Sequence, residues 1–394
     1  MNAGPPLRVA DVFRAYWADY LATHRVPAFQ QKAVGHILQC RTPALGGHVW
    51  QCAACGHRTV LYNSCRDRHC PTCQGAARER WLQKRMRELL PTPYFHVVFT
   101  LPHALNPLIR YNRKALIDLF FKEVNATLQE FAGDPQWRLE GQLGFIAVLH
   151  TWNQLLLEHN HLHLAVPGGV WRKDTRAWVP SKRNWLFRAE SLATRFRTRY
   201  LRAVQRKLQK GQLALPPDGP CWESVIERLS RTDWIVYAKK PFAGPQQVLE
   251  YLGRYTHKVA ISDYRILAVD NGQVTFRYRD RADGDVEKTK TLPADVFISR
   301  FLLHILPKGM QKIRFCGWMG RNVRRENLHA IRQSIGVPPP EREAPPPPIA
   351  PACPCCAKAA LVMVGVHQPR APPPVCRQLA RNAQASGRTG REAA

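Results

Sequence analysis

His159-Asn160-His161-Leu162-His163-Leu164-Ala165-Val166, near the middle of the chain, alternates polar and apolar side chains over its first half and closes on an apolar run. Read as a β-strand, it sends His159, His161 and His163 to one face and Leu162, Leu164 and Val166 to the other. The apolar face suits burial against helices. The imidazole face offers neutral nitrogen donors two residues apart, a spacing that can serve one divalent ion. Taken alone, the pattern favours a half-buried strand with a polar outer face, so the surrounding sequence has to decide.

The chain has 394 residues, enough for two or three domains, and its 45% hydrophobic share suits a globular protein. Lys and Arg number 58 against 29 Asp and Glu, giving a formal net charge of +29 and a pI near 10.2. That balance points to a polyanion, nucleic acid above all, because neutralising phosphates releases counterions. No apolar run is long enough for a bilayer. The opening Met1-Asn2-Ala3-Gly4-Pro5-Pro6 lacks the basic and apolar regions of a signal peptide. The cytoplasm is therefore the expected compartment, and twelve cysteines there suggest metal ligands before disulfides.

Apolar residues at three- and four-residue steps predict helices over 7–39, broken near Pro27. The cysteines follow: Cys40, Cys52-Ala53-Ala54-Cys55-Gly56, Cys65 and Cys70-Pro71-Thr72-Cys73. Two C-x-x-C pairs around a short β-like insert have the spacing of a zinc ribbon. Cys52, Cys55, Cys70 and Cys73 are expected to close one structural tetrathiolate site. Cys65 and Cys40, with His48, His57 and His69, remain alternative ligands. Arg66 and Arg68 belong to a group of cations around this cluster, which reads as a DNA-contacting module.

From Tyr94 the pattern turns to strands and helices: strands at 95–101, 145–150 and the histidine stretch, with a helix over 113–132. Residues 188–210 form a basic helix with Arg195 and Arg199, whose single sign suggests a phosphate-facing surface. A strand at 234–237 precedes a helix carrying Gln247, Tyr251, Arg254, Tyr255 and Lys258. Asn271-Gly272 marks a hairpin, and 301–336, with Arg314 and Arg321, is expected to be helical and basic. The Pro-rich stretch from 337 reads as a linker. Beyond it Cys353, Cys355 and Cys356, with Cys376, could form a second knuckle before a disordered end.

Tyr251 and Tyr255 lie at i and i+4, so on a helix both hydroxyls address one region of space. Four blocks in order then carry a resemblance: Cys65-Arg66-Asp67-Arg68-His69-Cys70-Pro71-Thr72-Cys73, His96-Val97-Val98-Phe99-Thr100-Leu101-Pro102, the histidine stretch, and Tyr251-Leu252-Gly253-Arg254-Tyr255-Thr256-His257-Lys258-Val259-Ala260-Ile261-Ser262. From Cys40 to about Ile335 the chain resembles the rolling-circle transposases of the insertion-sequence 91 family, members of the HUH endonuclease superfamily. One departure is Asn160, where the family often has proline; it reads as a change at a loop entry.

The resemblance implies an α+β fold: an HUH-nuclease core with a five-stranded antiparallel sheet (RRM/ferredoxin-like) flanked by helices, preceded by a helical plus zinc-ribbon domain. Residues 1–90 would be the DNA-binding unit, 91–336 the catalytic domain and 337–394 the linker and tail. By the same resemblance His161 and His163 bind Mg²⁺ or Mn²⁺, with His159 favoured over Gln247 as third ligand. Tyr255, or else Tyr251, attacks a phosphodiester to leave a 5′-phosphotyrosine, and Lys258 is a candidate to steady the charge. The expected partner is DNA, single-stranded or hairpin element ends especially, with Arg254 among its contacts. Two other functions stay open: a zinc-ribbon DNA-binding protein with an inactive nuclease core, and a plasmid replication initiator or relaxase.

Overall fold

The computed structural model describes residues 6–182, 186–239, 247, 253, 259–280, 282–339, 351–357 and 360–370. Helices α1 (Val9–Thr23) and α2 (Ala28–Gln39) meet at Pro27, the residue before the first turn of α2. Proline suits that position because its fixed φ is preset for helix entry. A two-strand ribbon follows, β1 (Gly47–Cys52) against β2 (Arg58–Tyr62), then α3 (Gln74–Met86).

Next come β3 (Tyr94–Thr100), α4 (Asn106–Tyr111), α5 (Arg113–Gly133), β4 (Gly144–Trp152) and β5 (Glu158–Pro167). A small hairpin, β6 (Gly169–Arg172) and β7 (Ala177–Pro180), leads to α6 (Ala189–Gln209), α7 (Trp222–Arg231) and β8 (Val236–Lys239). Strands β9 (Ile266–Asp270), β10 (Gln273–Asp280) and β11 (Val286–Pro293) form a meander. Asn271 and Gly272 both take positive φ in its first turn, 46° and 71°, as a two-residue hairpin of this type requires. The described chain ends with α8 (Ala294–Leu302), β12 (Ile313–Gly317), α9 (Arg324–Ser334) and β13 (Leu361–His367).

The fold is α+β and its centre is a five-stranded antiparallel sheet in the order β12-β4-β5-β3-β8. One face carries Phe95, Val97, Phe99, Leu162, Leu164 and Val166, sealed by α5 and α6 through Phe120, Val124, Phe196 and Tyr200. The opposite face carries the histidines. A second core joins Phe13, Trp17 and Ile37 of α1 and α2 to Phe276 of the meander and to Phe297 and Phe301 of α8. The boundary expected at residue 90 is thus crossed by a shared core.

Three expectations need correction. Residues 301–336 are not one helical stretch: Ile313-Arg314-Phe315-Cys316-Gly317 is the edge strand β12. Its side chains alternate, Ile313 and Phe315 packing toward the histidine face, a period of two rather than 3.6. Residues 361–367, placed by sequence in the tail, form β13 and pair antiparallel with β1, Cys52 opposite Leu361 and Gly47 opposite His367. Asn160 lies inside β5, not at a loop entry. It is buried, and its amide donates to Asn106 Oδ1 at 3.0 Å.

Candidate functional site

Strand register assembles the histidine face. His150 stands opposite His161, His163 opposite Val148 and Val98, and His96 opposite Ala165. One nitrogen from each of His150, His161 and His163 can be chosen so that all lie within 4.8 Å of one another. That spread fits three imidazoles converging on one divalent ion. His161 Nδ1 lies 2.8 Å from the carbonyl oxygen of His159, two residues back on the strand. A carbonyl only accepts, so Nδ1 carries the proton and Nε2 the lone pair. His163 Nδ1 is 3.0 Å from His96 Nε2, and the two rings stack at 11°. Trp152 stacks on His150 with centroids 4.6 Å apart, and Lys312 Nζ sits 4.9 Å from the Trp152 ring. These neighbours hold the three rings in place, as outer partners of metal-binding histidines generally do.

The sequence pointed to His159 as the third imidazole. Its ring meets His103, Nδ1 to Nε2 at 3.0 Å, and lies 4.6 Å from the His161 ring, while His150 is the third member of the cluster within 4.8 Å. His150 closes the apolar run of β4, but only the pairing of β4 with β5 puts it opposite His161. Gln247 is exposed. Tyr251, Arg254, Tyr255, Lys258 and Cys376 lie outside the described residues. Gly253 is helical and buried, and a Cβ on it would come 2.5 Å from Leu82 Cδ2 of α3. Leu82 packs against Tyr94 and Ala165, on the same face of the sheet as His163.

The cysteines divide differently from the expected single set. Cys40, Cys65, Cys70 and Cys73 form one quartet, and Cys52, Cys55, Cys353 and Cys356 another. In the first, Cys40 ends α2, Cys73 caps α3, and Cys65 Sγ lies 3.7 Å from Cys73 Sγ. Four thiolates at about 2.3 Å from a tetrahedral zinc stand about 3.8 Å apart, so the separation fits. Pairing Cys52 and Cys55 with Cys70 and Cys73 is corrected by this geometry. The first quartet takes in the alternatives Cys40 and Cys65, whereas the partners of Cys52 and Cys55 lie some three hundred residues away.

Between the cysteines of the first quartet, the loop 66–69 ties the cluster to the segment after α8. Arg68 donates to the carbonyl oxygens of Leu306 at 2.9 Å, Pro307 at 2.8 Å and Met310 at 2.5 Å. His69 accepts from Leu306 N at 3.0 Å and bonds Asp67 at 3.0 Å. Burial pushes the Asp67 carboxyl upward, but hydrogen bonds from His36 and His69 hold it well below the usual carboxylate range. Burial also lowers His69. His304 is fully enclosed between Thr151 and the Leu156 carbonyl. Burial drives its pKa down to about 3, so it is neutral.

The expected DNA-binding arginines separate into two groups. Arg68 is committed to backbone carbonyls. Arg195 pairs with Glu130 at 2.7 Å, and Arg199 bridges Glu123 and Glu130 at 3.1 and 3.0 Å, both fastening α6 to α5. All three thus make contacts within the fold. Arg66, in a left-handed conformation with φ of 57°, and Arg321 are exposed. Among the described residues, no helix is long and apolar enough to cross a membrane.

Known proteins resemble this chain over most of its length. A family model described as "Transposase zinc-binding domain" matches residues 12–101, and one described as "Putative transposase" matches residues 144–327. The chain is 43% identical over 354 residues to "Putative transposase y4qJ" of Sinorhizobium fredii (strain NBRC 101917 / NGR234), covering 87% of this chain and 88% of that protein. It is 28% identical over 342 residues to "Transposase for insertion sequence element IS801" of Pseudomonas savastanoi pv. phaseolicola, covering 84% and 80%. No solved structure matches.

Proposed function

Because the chain belongs to the insertion-sequence 91 family of transposases, we propose that it nicks and rejoins single-stranded DNA at element ends by rolling-circle chemistry. A tyrosine oxygen, from Tyr255 first and Tyr251 second, attacks phosphorus and forms a P–O bond. The bond to the departing 3′ oxygen breaks, and that oxygen takes up a proton. The 5′ phosphate stays on tyrosine until a 3′ hydroxyl reverses the exchange. The phosphodiester energy is retained, so joining needs no ATP.

One observation carries this reading: three imidazoles, His150, His161 and His163, converge within 4.8 Å on the sheet face against which Gly253 is packed through Leu82. Gly253 lies between the two tyrosines in sequence, which supports a shared site. The three imidazoles would hold Mg²⁺ or Mn²⁺. When bound, such an ion supplies Lewis acidity toward a phosphodiester oxygen. His96 and Trp152 orient the rings, and Lys258 is the proposed partner for charge on the tyrosine oxygen, whose unperturbed pKa is about 10. Cys40, Cys65, Cys70 and Cys73 are the proposed structural zinc ligands. That site tethers α2 and α3 and, through Arg68, the segment after α8. Arg66, Arg321 and Arg254 are the proposed phosphate contacts.

The test is direct. Protein is incubated with Mn²⁺ and single-stranded oligonucleotides from the DNA flanking its gene, then denatured. A protein–DNA adduct resistant to denaturation is expected from one flank. Folded protein that gives no adduct with any flank contradicts the proposal.

A further inference from the structure

The second cysteine quartet joins parts of the chain some three hundred residues apart. Cys52 and Cys55 belong to the N-terminal ribbon, and Cys353 and Cys356 to the segment that enters β13. Cys52 Sγ lies 3.7 Å from Cys356 Sγ, and Cys55 Sγ lies 3.7 Å from Cys353 Sγ. A disulfide needs about 2.05 Å. The observed separation instead matches two edges of a zinc tetrathiolate, about 3.8 Å each.

The two halves have the same backbone. In the first, Gly56 N donates to Cys52 O at 3.0 Å; in the second, Ala357 N donates to Cys353 O at 3.0 Å. The residue after each second cysteine is left-handed, Gly56 with φ of 68° and Ala357 with φ of 52°. Cys353 Sγ also accepts from Cys355 N at 3.4 Å, a contact that favours thiolate. Alanine pays a steric penalty for a left-handed backbone that glycine avoids. A conformation repeated at that cost needs a cause, and curling two sulfurs toward one point supplies it. Cys52 and Cys353 are buried together with Leu361, so the site forms one unit with the β1–β13 pairing.

The geometry points to a second structural zinc, held by Cys52, Cys55, Cys353 and Cys356, that closes the N-terminal ribbon with the C-terminal segment as its third strand. The family match to the zinc-binding domain ends at residue 101, so half of this ligand set lies far beyond it. Cys355, exposed and outside the quartet, is the internal control.

Metal content and thiol labelling of the full-length protein test this. Two zinc ions per chain are expected, where the first quartet alone gives one. Under non-denaturing conditions N-ethylmaleimide should modify Cys355 at once and spare Cys52, Cys55, Cys353 and Cys356. A chelator should then release those four together. Cys353→Ser/Cys356→Ser should hold one zinc, with Cys40, Cys65, Cys70 and Cys73 still protected and β13 amides exchanging at least tenfold faster. One zinc in the wild type, a disulfide within the quartet, or Cys353 and Cys356 labelling as fast as Cys355 would each overturn the proposal. The wild-type measurements decide it even where the double variant fails to fold. None of these readouts depends on DNA cleavage, so the outcome is independent of the proposed transposition chemistry.

Discussion

His150 and His161 face each other across β4 and β5, their rings 5.3 Å apart at the centroids and 76° to one another. With His163 they make a three-imidazole cluster from two strands, where the sequence alone offers three from one. His150→Ala should therefore weaken Mn²⁺ binding by about a hundredfold and abolish adduct formation at low metal. His159→Ala, which removes the partner of His103, should cost less than about fivefold. Titrating Mn²⁺ against adduct yield separates the two, and equal losses would return His159 to the metal.

Trp152 stacks on His150 while Lys312 lies over its ring. Trp152→Leu should raise the Mn²⁺ concentration needed for half-maximal adduct by about tenfold, the lower range for outer-partner changes. The yield at saturating metal should recover. A loss that excess Mn²⁺ does not restore would show a role in packing alone.

Arg68 and Arg66 are near neighbours with opposite assignments. Arg68→Ala removes the guanidinium from three carbonyl oxygens, of which Pro307 O keeps its bond from Met310 N, and should lower stability by about 1–3 kcal/mol. The salt dependence of DNA binding should not change. Arg66→Ala and Arg321→Ala should leave unfolding unaltered and each flatten the slope of log K against log[salt] by about 0.7 on single strands. A flattened slope for Arg68→Ala would make it a phosphate contact after all.

Acid should destabilise the fold through His304. Its folded pKa is depressed to about 3, against about 6.5 unfolded. Its contribution is full above the unfolded value and fades as pH falls toward the folded one, because the unfolded chain binds the extra proton. Between pH 7.5 and 5.5 this amounts to about 1 kcal/mol. Denaturant midpoints at the two pH values should differ less in His304→Gln than in the wild type. An unchanged difference would mean that other groups carry the acid sensitivity.

Much of this could be read from residues close together in sequence. The alternation at 159–166 gave β5 and its two faces, and Asn271-Gly272 gave the hairpin. What sequence missed depends on distant partners. His150 gains meaning only from the register of β4 on β5. Cys52 and Cys55 look like half of a site with Cys70 and Cys73 because nothing local announces Cys353 and Cys356. Arg195 and Arg199 look like a phosphate-facing surface until Glu123 and Glu130 are found beside them on α5. Strand β12 was hidden because five residues between basic helical segments are too few to show their period clearly.

Mapping the covalent adduct tests whether the imidazole cluster serves a tyrosine nucleophile. Wild-type protein and His150→Ala are each incubated with Mn²⁺ and the reactive strand, digested, and analysed by mass spectrometry. A nucleotide 5′-phosphate is expected on the peptide containing Tyr255 or Tyr251 in the wild type, lost with chelator and in His150→Ala. An adduct on any other residue, or one that persists undiminished in both conditions, would contradict it.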